Sequence, residues 1–423
     1  MNAAAGAVAA DAARWRWQHV LESPHRLGFL LASALLGAAG AWWAVVQWQR
    51  SGLVHGVGYA FSPSLVHAAA MSFGFMPLFF GGFLFTAGPR WLAMPLPQAR
   101  SLLPAFAAQA AGWLLWIVGA HLHAWLSLGG LLLALAGLAG VSVRFWRLIA
   151  GSRMPDRLHP KLAGTALLAG CASLAGLAVA LALQDEGAAR RVVLTGLWAF
   201  IVVVYITVAD RMIPFFTAGA VPSFEHRHPH ATLALMLGMA SFEAAAPWIE
   251  EAFGASAGWL VLRGGVETAA GALLLALAVA WARFKPLRTR MLVMLHVGFA
   301  WLGASFLLAG VAHLLSAAAG KPVLPLAGLH ALTMGCLGSL MLTMVSRVSC
   351  GQSGRPNVTD NFLWSLFWLL QLSVLLRIAA EAWAAGTQPL LAATALLWAC
   401  IMLAWGIRHG NWYGRAREER RAG

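Results

Sequence analysis

Twelve stretches of about twenty mainly apolar residues divide this chain, near 27–48, 64–87, 102–120, 124–143, 162–183, 192–209, 231–249, 258–281, 291–315, 323–345, 362–382 and 388–407. No other feature limits the fold so severely. A bilayer offers no hydrogen-bond partner, so each run must satisfy its own backbone, and a helix does that within one segment. Composition agrees. Of 423 residues, 60% are hydrophobic and 10% charged, whereas a soluble surface needs about a quarter charged. The expected fold is an all-α polytopic bundle of about twelve transmembrane helices.

Charge then sets topology. The net charge of +14 does not point to nucleic acid, because the basic residues sit in short clusters between apolar runs rather than on one soluble face. With the N-terminus in the cytoplasm, 23 of the 29 Lys and Arg residues fall inside, and an asymmetry that large supports both termini being cytoplasmic. The expected organisation is a basic N-terminal segment 1–24, one membrane domain 25–409 and a basic tail 410–423. No loop is long enough for a further domain, and the first apolar run lacks a nearby small-residue cleavage site, so it reads as a retained helix. Cys171, Cys336, Cys350 and Cys400 show no CxxC spacing, which argues against disulfides and thiolate metal sites.

This topology gives each unusual residue a depth. His67, His121, His123, His313 and His330 gather toward the outer surface. His330 sits roughly 10 Å into its span at ~1.5 Å per residue. His25, Arg26, Asp210, Arg211, His296 and Arg347 gather on the inner side, His159 and the run His226, His228, His230 lie in inner loops, and Glu243 and Glu267 fall mid-membrane. Ionisable groups at such depth usually face the bundle interior and mark function. Neutral imidazoles from facing helices can hold a haem iron or copper; they also serve as plain interhelical hydrogen bonds. Ligation is the favoured reading for His67 and His330, and Met71, Met76, Met334 and Met341 read as packing rather than Cu(I) donors. Arg211 and Arg347 are the expected partners for haem propionates, against a plain interfacial role. Arg263 precedes Glu267, and Arg377 precedes Glu381, by four residues, so each pair can meet on one helix face, either to neutralise charge or to carry protons. Pro214 is expected to end its helix after Arg211, and Pro77 to kink its own.

Several strings carry a resemblance. Ala209–Thr217, ADRMIPFFT, resembles the RMIPFFT signature of the NnrS family, and His330–Pro356, HALTMGCLGSLMLTMVSRVSCGQSGRP, is similar to that family's HALT…MTRVSLGHTGRP block. Ser23–Ala32, SPHRLGFLLA, and the stretch from His67 through GFLFTAGPRW to Trp91 resemble its first two helices, in the same order. The resemblance implies a multi-pass protein of the bacterial inner membrane, with b-type haem and a possible copper, linked to nitric oxide and nitrosative stress. It carries over His25, His67, His330, Arg211 and Arg347. Two departures weigh against copper: Ala69 and Ala70 stand where many members read HAHEM, and Gln352 stands where histidine is common.

The leading expectation is therefore a haem protein of nitric oxide metabolism or protection, embedded in lipid, binding NO or passing electrons, with no electron donor named by the sequence. The metal candidates are His67, His330, His25, His121, His123, His313 and His296. A transporter of a metal species or small anion is the alternative, since twelve spans with buried charge suit that class too. A haem-copper oxidase core ranks lower, because no adjacent His-His pair or HPE-type motif occurs.

Overall fold

The computed structural model describes residues 14–56, 58–220, 229–284, 289–356, 358–383 and 386–417, so His226 and His228 lie outside the described residues. Among them are twelve helices long and apolar enough to cross a membrane: α1 Pro24–Arg50, α2 Pro63–Trp91, α3 Ala99–Leu122, α4 Ala124–Gly151, α5 Leu158–Ala182, α6 Glu186–Ile213, α7 His230–Phe253, α8 Ala257–Ala282, α9 Arg290–Ala319, α10 Ala327–Ser353, α11 Asn361–Ala382 and α12 Thr387–Tyr413. Each corresponds to one apolar run in the sequence. Helix ends carry the expected chemistry. Asp185, Thr289 and Asp360 accept from the first-turn amides of α6, α9 and α11, and Gly354, at φ +79°, ends α10 in a left-handed turn that a side chain would resist.

Sequence-adjacent helices pack against each other, and α12 packs along α1. The two ends of the chain are tied on one face, here called the terminal face, by Arg16 N–H donating to Gly414 O at 2.7 Å. Close crossings rely on small residues. A Cβ on Gly112 would lie 2.4 Å from Gly130 O, and one on Gly130 would lie 2.6 Å from Gly112 O, so α3 and α4 touch backbone to backbone.

Three helices form the centre. The apolar windows of α2, α6 and α10 are 78, 78 and 72% buried, against 28–56% for the rest. The same three each contain a π-helical segment: Ala70–Gly74, Leu197–Val202 and Ala331–Gly338. Such segments re-aim side chains and are common at functional sites. In α2 the π segment leads into Met76–Trp91, with Pro77 in the first turn of that stretch, so the expected interruption is present. Pro214 behaves differently. The helix continues from Val203 to Ala220, and the expected break after Arg211 is absent. A proline removes only one N–H, and here the loss falls within one turn of the membrane end.

Candidate functional site

Two of the π segments share a local sequence. His67-Ala68 precedes Met71 in α2, and His330-Ala331 precedes Met334 in α10. Each histidine ends an α-helical turn directly before, or within three residues of, the π segment. The two rings lie within electrostatic range of one another and are enclosed by protein, yet each retains accessible surface. The helices that carry the rings, α2 and α10, make no extensive backbone contact, and the space between the two rings is here the His67–His330 gap.

The orientation of each imidazole is fixed. His330 Nδ1 donates to Leu326 O at 2.9 Å, which places the proton on Nδ1 and leaves the lone pair on Nε2. This is the usual second partner of a metal-bound imidazole. His67 stacks on Trp43, with centroids 3.8 Å apart and planes at 15°, and its buried Nδ1 has no hydrogen-bond partner. An orphaned buried nitrogen costs about 1–3 kcal/mol unless something binds it.

The cations near this pair are not those expected. Arg377 lies within electrostatic range of both histidines and Arg50 of His67. Arg377 also bonds Glu381 at 2.9 Å, and Arg50 stands over Trp43 at 5.2 Å. Arg347 is seventeen residues beyond His330 along α10, about 25 Å at ~1.5 Å per residue, which is most of the ~30 Å hydrocarbon core. Arg211 stands over Trp91 at 5.0 Å. Neither therefore belongs to the His67–His330 gap.

The other histidines of this half are occupied elsewhere. His121 Nε2 accepts from Trp42 Nε1 at 2.6 Å and its Nδ1 faces Gly58 O at 3.0 Å, which uses both ring nitrogens. His123 is exposed and caps α4 by accepting from Trp125 N–H. His313 Nδ1 bonds Glu267 Oε2 at 2.6 Å. Of five histidines sharing a depth, the structure brings together two.

A second donor set lies toward the terminal face. His25, in the first turn of α1, is 2% exposed, and its Nδ1 has no hydrogen-bond partner. His296 Nδ1 donates to Leu292 O at 2.8 Å. His409 is a residue that sequence reasoning missed, because its apolar run was ended at 407. It is 1% exposed, donates from Nδ1 to Trp405 O at 2.9 Å and leaves a buried Nε2 without a hydrogen-bond partner. The detectable signal was a histidine four residues after a tryptophan on one helix face. A chain of aromatic rings connects His25 to His409 through Phe29, Phe79 and Trp405, at centroid spacings of 5.9, 5.6, 5.9 and 5.0 Å. Arg26 is buried and structural: it donates to Tyr413 O and Arg415 O, satisfying carbonyls at the C-terminus of α12. His159 bonds Asp210 at 2.9 Å and ties α5 to α6.

Among the described residues, no group of three or more His, Cys, Asp or Glu side chains is placed to hold a metal ion. A haem asks less of the protein, two axial donors and cations for its acidic arms. His67, His330, Arg377 and Arg50 fit that demand. The fold thus defines a helical membrane protein with twelve candidate spans, in which His67 and His330 lie within electrostatic range of one another. The NnrS protein family model matches residues 3–417, and the chain belongs to that family. A search of curated proteins gave no match.

Proposed function

We propose that this member of a nitric-oxide-related membrane family holds a b-type haem between α2 and α10, with His67 and His330 as axial donors. It would serve nitric oxide metabolism or protection in a bacterial inner membrane, by binding the diatomic or passing electrons. The observation that carries this reading is the His67–His330 pair: two rings within electrostatic range of one another on helices without extensive backbone contact, His67 with a buried Nδ1 that has no hydrogen-bond partner and His330 with its Nδ1–H held by Leu326 O. When bound, haem supplies one-electron transfer and, where an axial position opens, a place for a diatomic ligand.

The chain's own residues hold and shield it. Leu326 O fixes the His330 tautomer, and the face of Trp43 holds the His67 ring and excludes water from that side. Arg377 and Arg50 supply guanidinium groups for acidic arms, and Glu381 keeps Arg377 in place. A cavity of ≈ 40 Å³ against the π segment of α10, lined by Tyr205, Trp281, Phe299 and Cys336, has room for a molecule about the size of water. It offers an apolar approach for a diatomic. Copper is left out of the proposal, because Ala69 and Ala70 offer no donor after His67. His25, through Nδ1, and His409, through Nε2, both buried without hydrogen-bond partners, are the donors proposed for a second group.

The test is the optical spectrum of protein purified from haem-replete cells, with and without NO. Wild type and His121→Ala are expected to show a Soret band, and His67→Ala and His330→Ala to lose or shift it. If both of the latter keep the wild-type spectrum, the assignment fails. The same measurement on His25→Ala reads the second set.

A further inference from the structure

On the face opposite the termini, a cavity of ≈ 540 Å³ that neither His67 nor His330 lines opens between α6, α7, α8, α9 and the start of α10. Glu243, Glu250, Arg263 and His313 line it. Arg263 sits among three carboxylates: Nη2 to Glu243 at 2.6 Å, Nη1 to Glu250 at 2.6 Å and Nε to Glu267 at 3.0 Å. Three ionised carboxylates against one guanidinium leave two uncompensated negative charges at membrane depth, which is costly. The cluster therefore takes up positive charge from outside itself.

Two observations say what that charge is. The guanidinium already occupies the centre of the carboxylates, where a metal cation would sit. Glu267 uses both carboxylate oxygens, Oε1 on Arg263 and Oε2 on His313, whereas Glu243 uses only Oε2, on Arg263. Glu243 is 4% exposed and lines the cavity, and its buried Oε1 has no hydrogen-bond partner, a position that is costly for an ionised oxygen and far less so for a protonated one. We infer that this cavity is a proton-binding site, in which Glu243 carries one exchangeable proton and His313 connects the cavity to the water outside.

The route is short and balanced. Glu267 is fully buried, whereas the His313 side chain is 24% exposed. His313 takes a proton at Nε2 from outer water and releases it to cavity water, which protonates Glu243 Oε1, while Glu267 Oε2 holds the ring through Nδ1–H. Release runs in reverse. Only O–H and N–H bonds form and break, and water carries the difference. Among the described residues, Arg263, Glu250, Glu267 and Lys321 are the other ionisable groups at this cluster.

Infrared difference spectroscopy of the full-length protein in nanodiscs, exchanged from H₂O to D₂O, tests this without reference to haem. The expected result is a protonated-carboxyl C=O band in wild type that shifts in D₂O, is abolished by Glu243→Gln, and survives Glu250→Gln. His313→Gln should keep the band and slow its exchange at least ~100-fold. Absence of an exchangeable carboxyl band in wild type overturns the inference even if a variant fails to fold. So does a band that persists in Glu243→Gln, or one that appears only after chelation.

Discussion

Helix α1 is held against α2 by a contact with almost no tolerance. A Cβ added at Gly28 would meet Leu78 O at 2.7 Å, Gly82 Cα at 2.8 Å and Gly82 N at 2.9 Å, all backbone. Ordinary contact begins at 3.4 Å, so Gly28→Ala must part the helices by about 0.7 Å, the difference between 3.4 and 2.7 Å. Overpacking of this kind costs typically ~1–3 kcal/mol, and backbone neighbours place it at the upper end. The helix-propensity gain of Ala over Gly returns about 1 kcal/mol, so the variant should be destabilised by about 2 kcal/mol. Gly82→Ala faces across the same crossing but meets Phe29 Cδ1 first, at 2.9 Å, then Phe29 Cε1, with His25 Cα at 3.2 Å. Moving a ring off its rotamer costs ~0.5–1.5 kcal/mol, which the same propensity gain nearly cancels. SDS-driven unfolding in mixed micelles, followed by the fluorescence of the 21 tryptophans, measures both. Equal losses, or a neutral Gly28→Ala, would refute the reasoning. The contact also positions the donor set of the terminal face, because His25 lies one helical turn before Gly28.

Two further outcomes are expected. Arg263→Met leaves three carboxylates without their countercharge and should destabilise by about 3–5 kcal/mol, the loss seen when one partner of a buried ion pair is removed; the same unfolding measurement checks it. Asp360, outside the spans, accepts hydrogen bonds from Arg408 and from Leu363 N–H, which hold its carboxyl below the usual range. A depressed carboxylate stabilises the fold above its ordinary value of about 3.9 and loses that contribution as pH falls through the lower folded value. Asp360→Asn should therefore melt below wild type at pH 7, with the gap closing in acid, and a gap independent of pH would contradict the pairing.

The twelve spans were legible because apolar length alone decides them, and the Arg263–Glu267 and Arg377–Glu381 pairs because four residues make one helical turn. Depth grouped His67 with His330, which lie within electrostatic range of one another. It could not separate them from His121 and His313, since residues at one height can face different neighbours around a bundle. Arg211 and Arg347 stand at helix ends, where arginine is conspicuous in sequence, while Arg377 and Arg50 come within electrostatic range of the histidines only through the packing of α11 and α1. Glu250 and His313 joined Glu243 and Glu267 through tertiary contact between α7, α8 and α9, which no single-helix pattern records. The π segments left a faint trace, the His-Ala spacing to Met that α2 and α10 share.

The seam between the first and last helices has a consequence for biosynthesis. From the end of α1 at Arg50 to the start of α12 at Thr387, a ribosome adding about 5–20 residues per second needs roughly 20–70 s. Throughout that interval α1 stands in the membrane without its final neighbour, and Arg26 has none of the carbonyls of Tyr413 and Arg415 that later receive its protons. Until its final helix leaves the ribosome, the nascent chain holds Arg26 only through Glu22 and His19 O of its own N-terminal segment. Truncation anywhere before α12 should mark the protein for quality control, however well the intervening helices have packed.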